Sequence, residues 1–185
     1  MVSLPLVFVT SRAEKALEAQ RLGFRVERLD LDLPEPQALD PSAIVEAKAR
    51  TAYRKLSRPV LVEDSALAIH AWGGFPGALV KWLEQSAGVQ SLARMLDGFP
   101  DRGATAICAI GFCDGAEVMS ARGETQGSIA AAPRGKEGFG WDVLFVPEGD
   151  DRTFAEMSPG EKDRVSHRRR AWESMARKLP LQRED

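Results

Sequence analysis

Three short stretches carry the residue types that chemistry on an acidic ligand requires. The segment Ser158-Pro-Gly-Glu-Lys-Asp-Arg-Val-Ser-His-Arg-Arg-Arg170 packs a lysine, a histidine and four arginines into thirteen residues. Arg168 shares a helical face with Trp172, Met175 and Leu179 at i, i+4, i+7 and i+11. An arginine that continues an apolar stripe is expected to end at a cleft wall, where its planar guanidinium can hold a carbonyl, carboxylate or phosphate. Lys162 and His167 accompany it, whereas Arg169 and Arg170 read as a solvated basic face. The second stretch is Glu63-Asp64, which follows the buried-strand run Pro59-Val-Leu-Val62. Adjacent carboxylates at a strand end suit a hard cation such as Mg²⁺, against the plainer reading of a solvated strand exit. The third is Thr10-Ser11-Arg12-Ala13-Glu14-Lys15, where a strand gives way to a helix. It offers hydroxyls, backbone N–H groups and two cations to a phosphate, or else it is an ordinary helix cap.

A fourth stretch, Gly138-Phe139-Gly140-Trp141-Asp142, supplies two aromatic rings among glycines that permit close backbone approach. The rings could stack a nucleobase and Asp142 could accept from a base or ribose edge; the competing reading is a loop that packs its own aromatics. Phosphates, a cation and a base together suggest a nucleotide. The sequence has no G-x-x-x-x-G-K-[ST] loop, no dinucleotide fingerprint, no G-x-S-x-G elbow and no H-E-x-x-H helix, and it has two histidines. Those absences weaken ATP-driven, NAD-dependent, serine-triad and zinc-peptidase readings. Phosphoryl chemistry with Mg²⁺ needs none of those motifs, only a cation, a positioned water and positive charge around the phosphates.

Composition bounds the rest. A chain of 185 residues with 44% apolar and 28% charged residues suits one soluble domain that buries roughly 70% of its unfolded surface. Cys108 and Cys113 sit in an apolar run without a second cluster, so they read as core thiols rather than a disulfide or zinc site. A net charge of −2 argues against a general nucleic-acid binder. No apolar run approaches the ~18 residues that span a bilayer, and the N-terminus lacks a signal pattern; no membrane association and a cytoplasmic location are expected.

The positioning elements follow from periodicity. Leu4 to Thr10 reads as a buried strand with Pro5 at its edge, and Ser11 with Glu14 as a capping box opening a helix that stops near Leu22-Gly23. Arg25 to Leu29 reads as a second strand and Leu33-Pro-Glu-Pro36 as loop. Asp40-Pro41 starts a helix to about Leu56, with Ile44, Lys48 and Ala52 in one line. Helices are expected near Ala78 to Gln85 and Val89 to Leu96. Thr105 to Phe112, the Asp114-Gly115 turn and Glu117 to Arg122 form a hairpin. Ser158-Pro159 with Glu161 is a capping box that starts the last helix. Alternating strands and helices without repeat or linker indicate an α/β domain around a mixed sheet.

In this order the segments resemble the inosine triphosphate pyrophosphatase family. The match lies in Val62-Glu-Asp-Ser-Ala-Leu67 with Gly73-Gly-Phe-Pro-Gly77, in Ala132-Pro-Arg-Gly135 with Phe139-Gly-Trp-Asp142, and in Thr153-Phe-Ala-Glu-Met-Ser158 through Glu161-Lys162 to Ser166-His-Arg168. With the N-terminal strand and loop these stretches cover nearly the whole chain. The resemblance implies one α/β domain over residues 1–185, with two lobes around a long, twisted mixed sheet and a cleft between them. It also implies a homodimer and Mg²⁺-dependent hydrolysis of ITP, dITP and XTP to monophosphate and pyrophosphate. Carried onto this sequence, Asp64 becomes general base and metal residue, Glu35 the second metal carboxylate and Glu63 an acidic neighbour. Thr10 to Lys15 and Lys48 would hold the triphosphate, and Ser65 and Lys81 would touch the nucleotide. Phe139, Gly140, Trp141 and Asp142 would surround the base, whose edge Lys162, His167 and Arg168 would read.

Cationic donors suit the O6 carbonyl of hypoxanthine or xanthine. Adenine's amino group would leave them unpaired at about 1–3 kcal/mol each. The family's first loop usually reads Thr-Gly-Asn, whereas here it is Thr10-Ser11-Arg12; Arg12 either replaces the lost amide as a phosphate donor or points to solvent. Two rival readings are a pyrophosphatase for pyrimidine or modified nucleotides on a related fold and a non-catalytic nucleotide-binding protein.

Overall fold

A computed structural model describes residues 6–179. Strand β1 (Leu6–Val9) lies between β2 (Val26–Leu29) and β3 (Val60–Ile69), parallel to both. All of β1 except Leu6 is buried, which suits its unbroken apolar sequence. The expected start of this strand at Leu4 and Pro5 lies outside the described residues. Strands β5 (Gly103–Cys113) and β6 (Val118–Ile129) run antiparallel beyond β3, and β7 (Phe145–Pro147) closes the edge. The short β4 (Pro76–Gly77) pairs with the far end of β3. The result is a seven-stranded mixed sheet, longer in its antiparallel half than the sequence indicated.

Helix α1 (Ala13–Arg21) packs Ala16 and Ala19 onto one face of the β1 end of this sheet, and α2 (Pro41–Leu56) packs Val45, Ala49 and Ala52 onto the other. Asp40 caps α2 by accepting from the Ser42 amide, with Pro41 at the first helical position, as its sequence dictates. Helices α3 (Val80–Ala87) and α4 (Val89–Met95) cover the far end of β3 and β5 and enclose a separate core of Leu67, Leu92, Leu96, Phe145 and Phe154. Two packing units therefore share β3 and β5.

The C-terminal segment differs from expectation. Instead of one helix there are two, α5 (Pro159–Val165) and α6 (His167–Lys178), separated at Ser166, whose extended backbone stops one helix and whose hydroxyl accepts the Arg169 amide to cap the next. Both capping signals are real, but Ser166 was legible only as part of a motif. Helix α6 buries Trp172 edge-on against Phe8, 5.3 Å between ring centres, and lies close to β6 at Gly123. A side chain at Gly123 would stand 2.2 Å from the Ala171 nitrogen and 2.3 Å from the His167 carbonyl oxygen.

Candidate active site

The cleft forms where β1 ends and β3 continues. Parallel pairing stops at Val9 and Val62, and from Glu63 onward β3 has β5 beside it with β1 gone. Glu63 and Asp64 therefore lie within a ten-residue strand rather than at its end. Alternation sends the two carboxylates to opposite faces. Asp64 follows Val62 toward α2, and Glu63 follows Leu61 toward α1 and α6. The expected joint cation seat at Glu63 and Asp64 is not assembled.

Glu63 is buried, and its oxygens are engaged by Arg168 through Nε and Nη2 at 3.0 Å, by Ser65 Oγ at 3.2 Å and by Lys15 Nζ at 3.3 Å. Arg168 also reaches Ser65 Oγ at 3.2 Å and, through Nη1, Glu18. Glu18 takes Lys162 Nζ on its other oxygen at 2.8 Å, and Lys162 Nζ lies 2.6 Å from Asp142 Oδ2. Three cations and three carboxylates thus form one buried web. Burial is the largest single influence and pushes Glu18 and Glu63 upward, but the surrounding cations together outweigh it, Arg168 with Lys162 bringing Glu18 to about 2 and Arg168 with Lys15 bringing Glu63 below its ordinary value. The arginine on the apolar stripe does reach a wall and holds carboxylates there.

Asp142 also accepts the Phe139 amide at 2.8 Å, closing the aromatic loop on itself. The turn requires Gly138 in the left-handed region at φ +71°, where a Cβ would meet Asp142 Oδ2 at 2.2 Å. The Phe139 ring carries cations 5.1 Å (Lys162), 5.4 Å (Arg168) and 5.5 Å (Arg12) from its centre. Trp141 and Phe154 flank His167 at 5.3 and 5.9 Å. Both His167 ring nitrogens are buried without a partner, and burial, reinforced by Arg168 and Lys162, holds the imidazole well below its usual range.

At the β1 side of the cleft, Lys48 Nζ donates to Glu35 Oε1 at 2.6 Å and to the Glu63 carbonyl at 3.3 Å. Asp64 has its pKa pushed up to about 6, chiefly by burial; Lys15 and Lys48 oppose this and Glu35 and Glu63 add to it. Arg28 from β2 pins the first loop by donating to the Thr10 and Ser11 carbonyls. The expected Ser11 cap does not form: the helix N-cap is Arg12, and the Arg12 amide donates to Thr10 Oγ1 at 3.2 Å. Ser11, Ala13 and Glu14 are exposed, and Lys81 stands exposed at the cavity rim. Arg12 borders both cavities described below. It crosses the cleft over Phe139 toward Glu84 of α3, 3.9 Å between Nη2 and Oε2.

Two adjoining cavities join these groups. One is lined by Asp64, Glu35, Lys15, Phe139 to Asp142, His167 and Arg168. The other runs from Asp64 past Lys48 to Thr10 and Ser11. Sequence reasoning missed Glu18 and Glu84. A lone glutamate on a helix reads as solvated; the available signal was that Glu18 lies three residues after Lys15 on the face that buries Ala16 and Ala19. Among the described residues no cluster of three or more His, Cys, Asp or Glu side chains gathers into a metal cage. Asp64 and Glu35, lining both cavities with Asp64 raised by burial, fit a hard cation completed by substrate oxygens.

Comparison with known proteins places this architecture. The chain is 40% identical to a dITP/XTP pyrophosphatase of Methanopyrus kandleri, covering 94% of this chain and 95% of that one. It is likewise 40% identical to an inosine triphosphate pyrophosphatase of Yarrowia lipolytica, covering 93% and 94%. Among solved structures, a HAM1 protein from Coxiella burnetii superposes with a TM-score of 0.84 at 28% identity, covering 96% of this chain and 99% of that one. A nucleoside-triphosphatase described as a dITP/XTP pyrophosphatase from Mycobacterium abscessus gives 0.71 at 31% identity, covering 95% and 99%. The Ham1 family model matches residues 6–178, and with full-length relatives at this identity the chain belongs to the Ham1 family.

Proposed function

We propose that this protein hydrolyses the deaminated purine nucleoside triphosphates ITP, dITP and XTP to the monophosphate and pyrophosphate. The observation that carries this reading is Asp64, a half-buried carboxylate near pKa 6 between the lysine-lined phosphate end and the aromatic loop. In that position it takes a proton from the water attacking the α-phosphorus, as general base. Lys15 and Lys48 neutralise the departing pyrophosphate, with Thr10 to Arg12 bordering the same cavity. Asp64 and Glu35 would hold Mg²⁺, which when bound supplies charge neutralisation at the phosphates.

At the base end, Phe139 and Trp141 offer stacking surfaces. Lys162 and Arg168, oriented by Glu18, Glu63 and Asp142, offer donors to an O6 carbonyl. Adenine's amino group would leave those donors unpaired. A homodimer and a cytoplasmic location complete the reading; the first is supported by exposed Phe75, Trp82 and Phe99, the second by the two free buried thiols. Pyrophosphate release from ITP, dITP, XTP, dATP, dGTP and dTTP with Mg²⁺ tests the activity, and turnover of ITP and XTP no faster than the standard nucleotides would sink the specificity. Light scattering at micromolar concentration tests the dimer.

A further inference from the structure

We propose that Glu84 recognises the sugar of the bound nucleotide, its free carboxylate oxygen accepting a hydrogen bond from a ribose hydroxyl. This rests on the nucleotide reading above and assigns a part of the cleft that reading leaves unused. Glu84 projects from α3 with its side chain 10% exposed. Its Oε1 is buried without a hydrogen-bond partner, while Oε2 faces Arg12 Nη2 at 3.9 Å, an ion-pair separation too long for a hydrogen bond. A buried acceptor left unmatched is unfavourable, so a donor on a bound ligand would complete the site.

The position says which donor. A Cβ at Gly140 would lie 3.1 Å from Glu84 Oε1 and 3.5 Å from Arg12 Nη1, so both side chains face the space that this glycine leaves open. Gly140, Glu84 and Arg12 line the same cavity as Asp64, Lys15 and Glu35, the first end in the reading above, and Trp141, Asp142 and Arg168, the second. A nucleotide with its phosphates at the first end and its base at the second sets its sugar between them. Ionised phosphates carry no donor, and the base end already has the Asp142 carboxylate. The sugar hydroxyls remain, and carboxylates bind them in this way in dinucleotide sites. Burial raises the Glu84 carboxyl from its ordinary value and Asp142 adds to this, against Arg12 and the Trp141 backbone amide, which lower it. Arg12 acts as a positioning residue that keeps Glu84 ionised, which explains an arginine here better than solvent exposure does.

The test compares kcat/KM for ITP, 2′-deoxy-ITP and 3′-deoxy-ITP in the parent, Glu84→Gln and Glu84→Leu. The parent should favour ITP over at least one deoxy analogue by about tenfold or more, the scale of one hydrogen bond to a charged group. Glu84→Leu should erase that preference by slowing ITP alone, and Glu84→Gln, whose amide carbonyl still accepts, should retain part of it. The ratio cancels any loss of folded protein, which a purely structural role would produce equally for all three substrates; should the leucine variant not fold, Glu84→Asp, with its acceptor withdrawn by one methylene, takes its place. A parent without preference, or a ratio unmoved by Glu84→Leu, overturns the proposal alone. No turnover of any of the three overturns the pyrophosphatase reading and this proposal with it.

Discussion

Arg168 and Glu63 meet in a forked pair, with the arginine Nε and Nη2 each 3.0 Å from the carboxylate and neither residue more than 2% exposed. Removing one partner from such a pair leaves an uncompensated buried charge. Arg168→Met should lose about 3–5 kcal/mol in urea unfolding. Arg168→Lys should recover little of it, because an ammonium cannot span Glu63 and Glu18 together. A loss under about 1 kcal/mol for the methionine variant would mean that the web does not hold the fold.

Asp64 carries the opposite sign. Its folded pKa is raised from 3.8 to about 6, so ionisation opposes folding. Its neutral form adds no penalty below about pH 4; the cost grows as pH rises from about 4 to about 6 and is constant above, reaching about 3 kcal/mol. Asp64→Asn should therefore abolish turnover while making the metal-free protein more stable at pH 8, with the gain vanishing by pH 4. Denaturation of both proteins at the two pH values checks this; equal stability at pH 8 would remove the burial account of Asp64.

His167 should stay neutral far into acid. Its imidazole is enclosed by Trp141 and Phe154, and burial with Arg168 and Lys162 lowers it well below its ordinary value. A lowered histidine favours the fold while neutral, and that support is lost as pH falls below the unfolded value near 6.5. Nitrogen-15 shifts of the ring should be flat from pH 8 to 5, and a midpoint near 6.5 would contradict the enclosure.

Gly123→Val should destabilise by about 1–3 kcal/mol, since the new side chain must displace α6 backbone rather than a flexible side-chain tip. The displaced atoms belong to His167 and Ala171, so KM for ITP should rise together with the loss of stability. Unchanged KM in a folded variant would separate α6 from the base end of the cleft.

Local signals made much of this legible. Asp40 and Pro41 start α2 through contacts within three residues, and the Asp114 turn caps two amides of its own. Long-range partners were not legible. Glu63-Asp64 looked like a strand exit because polar residues end most strands, and only pairing with β5 carries β3 on to Ile69. Glu18 and Arg168 are 150 residues apart, and nothing in either neighbourhood specifies that they meet. The sequence therefore pointed to cations that the fold brings together, Lys15, Lys162 and Arg168, while the carboxylates that orient them come from distant segments.

The unbroken run of β3 from Val60 to Ile69 crosses from one packing unit to the other, with Asp64 near its midpoint. Arg12 follows the end of β1 and Glu84 stands on α3, so their ion pair joins the two units across the cleft from outside the shared sheet. The two units are thus tied twice, once through the backbone that carries Asp64 and once through a pair of side chains.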